Sequence, residues 1–482
     1  MAATGRSLVA SSFWSIGAAA FNTASTLVVF IILSRYLTPA QFGIVAFATI
    51  FIDISRAFLL NGIPDALIRA KDWDDDLAST AFWLSMGLGL VLCAAFAMVA
   101  APLAGPAYGS VFGYVLAALS LILLVEGSTA VHTAELRREY RFKEIAVRGI
   151  MANIIGGCLG AYLAIAGWGV WAMVLGRVVS TGITSLVLWY AARFRPKFTF
   201  RRDQALQLGK FSGNIYASQA LNQFATQLPA LLLGAVIGPS AIAMYRVGGR
   251  TLDMLVSLVV VPIQMTAVSM LSSISTDRDA IAVVYKRLIS GCALLACPVF
   301  LGLGAIAPDF VPLIFGAQWK DAGYVLTAMS LIAGPVSLSY FESATFNAIG
   351  RSDFTFYASL IASIGALVTV IIGIRYGAVG VALALSLRAY VTTPIVLSLI
   401  KRATGVLRLE ALAAVAPPYF CALAMAGIVW GVSRYGMADW APLARVVAGV
   451  LIGAATYPVL LMIFARSYVV TTLKTLPSLR RR

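Results

Sequence analysis

"SRYLTPAQFG" (34–43) separates two long apolar stretches, and its reading decides the fold. Thr38 is a good helix cap, Pro39 suits a first helical position, and Gln41 follows Thr38 at the spacing of a capping box. The stretch predicts a tight turn that ends one apolar helix and launches the next. A weaker copy, "GAVIGPSAIA" (234–243), places Pro239 at an offset of 200 from Pro39. At that offset Ser12, Ala20, Asn22, Thr26, Leu33, Asp53 and Ile63 meet Ser212, Ala220, Asn222, Thr226, Leu233, Asp253 and Ile263. Asn, Asp and Pro are scarce and costly in apolar spans, so their recurrence outweighs the aliphatic matches. Gly169, Arg177 and Thr181 meet Gly380, Arg388 and Thr392 at an offset of 211. One insertion between the two stretches reconciles the offsets, and the pattern reads as an internal repeat.

What lies on either side of the turn sets the class. Hydrophobic residues make up 60% of the chain, charged residues 12%, and the mean hydropathy is +0.90, which excludes an ordinary soluble domain. Segments long enough to span a bilayer are read at 11–33, 41–63, 79–100, 111–132, 147–166, 170–192, 211–237, 243–271, 284–306, 324–347, 355–374, 378–400, 411–432 and 443–465. The net charge of +16 follows the topology rather than a nucleic-acid face. With both termini on one side, five basic residues fall opposite (Arg35, Lys320, Arg375, Arg434, Arg445) and five inside spans (Arg56, Arg177, Arg246, Arg250, Arg388), leaving 26 of 36 on the side of the termini. The positive-inside rule makes that side cytoplasmic and the protein a multi-pass membrane protein with both termini in the cytoplasm, its first helix uncleaved. Anionic lipid is the one partner such charge implies. Cys93, Cys158, Cys292, Cys297 and Cys421 all fall in apolar spans and read as small core residues.

Six spans separate equivalent positions, so the two copies cross the membrane in the same direction. The expected fold is an all-α polytopic membrane protein of about 14 transmembrane helices in two parallel six-helix lobes. The lobes are expected at 1–200 and 201–405, followed at 406–482 by two further helices and a basic tail. Parallel repeats suit alternating access around a central cavity. Ser11, Ser15, Asn22, Ser25 and Thr26 share one arc of the first span; Ser212, Ser218, Gln219, Asn222, Gln223, Thr226 and Gln227 cover half of the seventh. Such polar faces line a cavity or bond to neighbouring helices, because lipid cannot satisfy them.

Charged residues inside spans are the sharper signal, each costing about 2.5–3.5 kcal/mol at a helix centre when unpaired. Asp53 and Arg56 stand three apart on one helix face, as do Arg250 and Asp253, with Arg246 a turn earlier. Each group either neutralises itself or offers a cationic site to a phosphate or acidic sugar, an anion that arginine can grip with two donors. Substrate binding is assigned to Arg56, Arg250, Arg246, Asn22, Asn222, Gln219 and Gln223, and ion coupling to Asp53, Asp253, Glu126 and Glu342. Arg177 and Arg388 are further intramembrane candidates, and His132, the only histidine, reads as structural. "DWDDD" (72–76) reads as a solvated connection, and no phosphate-binding glycine loop or metal-ligand spacing occurs, so no cofactor, metal or catalytic residue is assigned. The longest outer loop, about 307–322, is too short for a catalytic domain.

"LSRYLTPAQFGIVAFATIFIDI" (33–54), "GIPDALIR" (62–69) and "AELRREYRFKEIA" (134–146) resemble the polysaccharide-transport flippases of the multidrug/oligosaccharidyl-lipid/polysaccharide (MOP) exporter superfamily, most densely over residues 8–200. The resemblance implies a V-shaped fold and transfer of undecaprenyl-pyrophosphate-linked oligosaccharide from the cytoplasmic to the periplasmic leaflet for exopolysaccharide or lipopolysaccharide synthesis. It implies basic cavity residues, a place that Arg56 and Arg250 match, and no covalent chemistry; the protein is not expected to be an enzyme. Polysaccharide polymerase and export proteins are the implied protein partners. Rival readings are a multidrug or organic-cation antiporter of the same superfamily and a lipid II flippase, although Asn22 stands where the latter carries arginine. A major-facilitator transporter and an O-antigen polymerase or ligase fit less well, since "DALIRAKDWDDDLA" (65–78) lacks the former's signature and the loops lack room for the latter's site.

Overall fold

The computed structural model describes residues 5–60, 62–69, 73–139, 141–274 and 277–475, and their side chains except those at 5–20, 58, 60, 62, 69, 142, 210–222, 269, 272, 352 and 471–475. All regular structure among the described residues is helical. Two compact units emerge: Met1–Gly234 with Gly238–Ala243, and Met244–Arg482 with Ala235–Ile237.

In the first unit the helices are α1 (Gly5–Tyr36), α2 (Pro39–Leu60), α3 (Gly62–Arg69), α4 (Asp75–Ala94), α5 (Ala101–Tyr108), α6 (Ser110–Gly127), α7 (Ala130–Arg138), α8 (Phe142–Ile165), α9 (Val170–Ala191) and α10 (Arg202–Val236). There follow α11 (Pro239–Leu255), α12 (Val261–Ser273), α13 (Arg278–Phe315), α14 (Lys320–Ser330), α15 (Ala333–Ser339), α16 (Glu342–Ala348), α17 (Ser352–Gly373), α18 (Gly377–Thr404), α19 (Arg408–Gly431), α20 (Pro442–Phe464) and α21 (Arg466–Thr475). Each of the fourteen apolar segments falls on a helix or a run of helices. By length and apolarity alone, ten helices among the described residues can cross a membrane, or eleven if the pair Ala317–Ser330 and Ala333–Ala348, bent by 49°, forms one span. Two things separate this from fourteen. Phe21–Tyr36 of α1 and Gln223–Val236 of α10 fall outside that count as shorter apolar helices, and Asp353–Thr404 runs through both α17 and α18 but counts once.

The opening turn forms as its residues require. The Thr38 backbone N–H donates to Gln41 Oε1 at 3.0 Å and the Gln41 N–H to Thr38 Oγ1 at 3.3 Å, a reciprocal cap that satisfies two otherwise orphaned groups. Its copy opens α11 at Pro239 after Gly238, whose φ of +116° favours glycine. The two turns meet: a Cβ on Gly43 would collide with the carbonyl oxygen of Pro239. Glycine also lets α8 and α9 touch, since a Cβ on Gly156 would lie 2.6 Å from Gly176 O. Without a hydrophobic force between helices in lipid, such close backbone contact is a main source of cohesion.

On one end of the first unit, Phe82, Val131, Ala134, Phe194 and Leu208 form a small core. Around it, Glu135 accepts hydrogen bonds from the Arg193 and Phe194 N–H groups at 3.1–3.2 Å. The acidic connection is a helix start, where Asp74 Oδ1 accepts from Asp76 N–H at 3.1 Å and caps α4, while Asp75 pairs with Lys197 at 3.0 Å. Asp72 lies outside the described residues.

The second unit is organised on α13, whose Cys292, Cys297 and Phe300 are buried in a core shared with α19 and α20. Two expectations change here. The stretch read as an outer loop at 307–322 is mostly helix, because α13 continues to Phe315 through Pro308 and Pro312. Cys158 is exposed on α8, unlike the other four cysteines, because no neighbouring helix covers that side of α8. The basic residues Arg480–Arg482 lie outside the described residues.

The contact at the opening turn predicts that Gly43→Ala destabilises the protein by about 3 kcal/mol through overpacking against a backbone carbonyl. Gly87→Ala, which meets nothing within 4 Å, leaves thermal unfolding in detergent nearly unchanged.

Candidate functional site

The site in the first unit is built from a helix face. Thr49, Asp53 and Arg56 stand at i, i+4 and i+7 on α2, so all three side chains project the same way. Arg56 reaches Glu126 on α6 with two donors, Nε to Oε2 at 2.7 Å and Nη2 to Oε1 at 2.5 Å. Its Nη1 also lies 3.3 Å from Asp53 Oδ1. That same oxygen accepts from Nη2 of Arg177 on α9 at 2.5 Å, and Arg177 Nη1 donates to Thr49 Oγ1 at 3.3 Å. Three helices are thus joined by the ladder Glu126–Arg56–Asp53–Arg177. Glu126 is buried, and a buried carboxylate persists only with a partner and hydrogen bonds of this kind.

The ladder forms one wall of a cavity of about 640 Å³. Arg137 of α7, Arg148 of α8 and Gln223 of α10 complete its polar lining. Four guanidinium groups face two carboxylates there, a net charge of +2. Arg137 and Arg148 have no carboxylate within ion-pair distance among the described residues. The cavity therefore carries cationic donors not consumed by its own acids. That is the chemistry of an anion site, with arginine suited to paired phosphate oxygens.

Of the residues singled out from sequence, Asp53, Arg56, Glu126, Arg177 and Gln223 meet at this cavity. Asn22 does not line it: its Oδ1 accepts from Asn153 Nδ2 at 2.9 Å, and it packs on Gly149, where a Cβ would stand 2.9 Å from Asn22 Nδ2. Its amide joins α1 to α8. The side chains of Gln219 and Asn222 lie outside the described residues. Arg246, Arg250, Asp253 and Glu342 belong to the second unit. Asp253 is exposed and makes no ion pair with Arg250 among the described residues, so three-residue spacing there does not produce the contact made by Asp53 and Arg56. Arg388 donates to the Ala362 carbonyl at 2.7 Å, whereas its repeat counterpart Arg177 bonds a carboxylate. Glu342 Oε2 is buried without a hydrogen-bond partner among the described residues.

The sequence does not single out Arg137 or Arg148, which fall to the cytoplasmic charge there. Arg148 sits more than a turn inside α8, and its depth is the signal that separates it from a loop residue. His132, in α7 between spans, is fully buried against Trp189 at 4.4 Å, with Phe82 and Phe194 edge-on. Burial, helped by the Arg195 charge and weakly opposed by the Ser128 backbone, pushes its pKa down to about 4. It is a neutral packing residue.

The fold defines the class. Over 95% of its length the chain superposes on 99% of the lipid II flippase MurJ in an inward closed conformation, with a TM-score of 0.76 at 16% identity. Over 81% of its length it superposes on 95% of an inward-facing multidrug resistance MATE family transporter of the MOP superfamily, with a TM-score of 0.61 at 17% identity. This is a multi-pass membrane protein with the MOP fold. Residues 32–324, more than half of the chain, match the family described as Polysaccharide biosynthesis protein, and the chain belongs to that family. A relative similar over nearly its whole length is the succinoglycan biosynthesis transport protein ExoT of Rhizobium meliloti (strain 1021), 24% identical over 438 residues that cover 90% of this chain and 89% of that one.

Two outcomes follow. Arg56→Ala leaves Glu126 buried without its partner and costs about 3–5 kcal/mol, whereas Arg56→Gln with Glu126→Gln recovers most of that loss in thermal unfolding. For His132, the folded pKa lies below the unfolded value, so its contribution is full above about pH 6.5 and lost toward pH 4. His132→Phe should reduce the fall in stability between those values, by up to about 1.4 kcal/mol per pH unit.

Proposed function

We propose that this protein is a flippase that carries undecaprenyl-pyrophosphate-linked oligosaccharide repeat units from the cytoplasmic to the periplasmic leaflet of the bacterial inner membrane, serving exopolysaccharide or lipopolysaccharide synthesis. The observation that carries this reading is the excess of arginine in the cavity of the first unit. Taking a pyrophosphate across a bilayer core requires fixed positive charge in place of water, and each unit charge at 4 Å contributes about 4 kcal/mol at an effective dielectric of 20. Arg137 and Arg148 take up the phosphates first, because they have no carboxylate to give up. Arg56 and Arg177 hold the walls and exchange partners only if the anion displaces Glu126 or Asp53.

Family membership and the transport role named for ExoT favour the same substrate class. The mechanism is alternating access by the repeats 1–200 and 201–405, with 406–482 as an addition, and both termini lie in the cytoplasm. The isoprenoid chain stays in lipid while the head group crosses, and no bond is made or broken, so the protein is not an enzyme. A cation antiporter would share the fold, but a cavity with a charge of +2 repels an organic cation.

In a strain depleted of this protein, lipid-linked repeat units should build up in the cytoplasmic leaflet. The unaltered chain should clear them, and Arg137→Ala with Arg148→Ala should slow clearance at least tenfold at normal protein level, because these two substitutions strand no buried acid. A normal leaflet distribution on depletion would overturn the function. Full rescue by the double variant would overturn the site alone.

A further inference from the structure

Beyond the transport site, the segment that joins α9 to α10 has an unusual construction. Residues 192–201 have no helix, yet their backbone is fastened at several points. Besides the Glu135 bonds to Arg193 and Phe194, the Lys197 N–H donates to Ser79 Oγ at 3.1 Å and the Arg201 N–H to Thr80 Oγ1 at 3.2 Å. Trp83 Nε1 donates to the Lys197 carbonyl at 2.8 Å, and Arg195 Nη1 to the Ala192 and Phe194 carbonyls at 2.9 Å. Phe194 anchors the strip by burial in the small core.

What the strip presents outward is cationic and aromatic. Arg193, Arg195, Lys197, Arg201 and Arg202 are all exposed. Phe198 is 95% exposed and Phe200 56%, and Tyr190, on the last turn of α9, is 91% exposed. Phe198 keeps its orientation by stacking on Trp83, with ring centroids 5.3 Å apart and planes 29° apart. The nearby acids are Asp75, paired with Lys197, its neighbours Asp74 and Asp76, Glu135, which accepts from the Arg193 and Phe194 N–H groups, and Asp203, 3.6 Å from Arg201; the Arg193 and Arg202 side chains have no carboxylate within ion-pair distance among the described residues. Topology asks only for a number of positive charges on this side. A backbone held in place and aromatic rings aimed outward are more than it needs.

We propose that residues 190–202 form a docking strip for anionic glycerophospholipid head groups. The strip begins where the span Val170–Ala191 ends, which puts it at the membrane surface. There, cationic heads meet lipid phosphates while aromatic rings enter the boundary between head groups and tails. Because the backbone is already ordered, little conformational freedom is lost on binding. The strip shares no residue with the cavity lined by Arg137 and Arg148, so it can succeed or fail independently of the transport reading.

The test uses the full chain in nanodiscs of equal phosphatidylglycerol and phosphatidylcholine, with Phe198 replaced by photoreactive benzoylphenylalanine. A second preparation carries the same probe in place of Leu186, on the lipid-exposed face of α9. At position 198, phosphatidylglycerol adducts should exceed phosphatidylcholine adducts about fivefold or more, the effect expected of at least one basic residue at the surface. At position 186 the two should be near parity. Arg193→Gln with Lys197→Gln and Arg202→Gln should bring position 198 to parity while leaving the pattern at 186 unchanged, which shows that the variant still sits folded in the bilayer. Parity at 198 in the otherwise unaltered chain overturns the proposal, as does a preference that survives the triple substitution. Adducts in native membranes that form mainly with another protein would make the strip a protein interface instead.

Discussion

A guanidinium placed among apolar helices must find its counter-ions inside the protein, and in the first unit this requirement decides which helices touch. Arg56 alone would be prohibitively costly beside lipid. Joined to Glu126 and Asp53 it becomes the middle rung of a ladder through α2, α6 and α9. The ladder neutralises the wall of the cavity and leaves Arg137 and Arg148 as its uncompensated charges. In the proposed transport reading, stability and binding are thereby divided among different arginines. Those that hold the wall cannot be removed without stranding an acid, and those that face an incoming anion can.

Around that ladder the packing follows the rules of a low-polarity solvent. Helices meet through glycine where backbones must approach, as at Gly156 and Gly176, and through amides where polar groups must be satisfied, as at Asn22 and Asn153. The turn at Thr38 caps itself, so its exposed end requires no further partner. His132 is the exception in kind: a titratable ring used as an aromatic filler and kept neutral by its surroundings.

Positions matched at the two sequence offsets share residues more than contacts. Thr181 and Thr392 each donate to the carbonyl four residues earlier, at Arg177 and Arg388, and both hydrogen bonds measure 3.1 Å. The two arginines nevertheless differ in partner, carboxylate in one unit and backbone carbonyl in the other. Asp53 accepts from two guanidinium groups, while Asp253 lies exposed. Positions that match in the sequence thus make different contacts, and the cationic cavity described here belongs to the first unit.

The sequence by itself determined what depends on neighbours along the chain. Apolar length is a local sum, so the membrane class and the apolar segments were legible. So was the capping turn at Thr38, because a spacing of three residues is fixed by the helix itself; the same spacing put Asp53 and Arg56 on one face without deciding that they pair. Tertiary structure alone decided which faces of different helices meet. It brought Glu126 and Arg177 to the two ends of the Asp53–Arg56 pair and drew Arg137 and Arg148 from an apparent surface cluster into a cavity. It also turned Asn22 toward Asn153 and left Asp253 exposed. The physical reason is that a helix fixes the angle between its own side chains but not its rotation against a neighbour. That rotation is set by packing and by the need of every buried charge to be met.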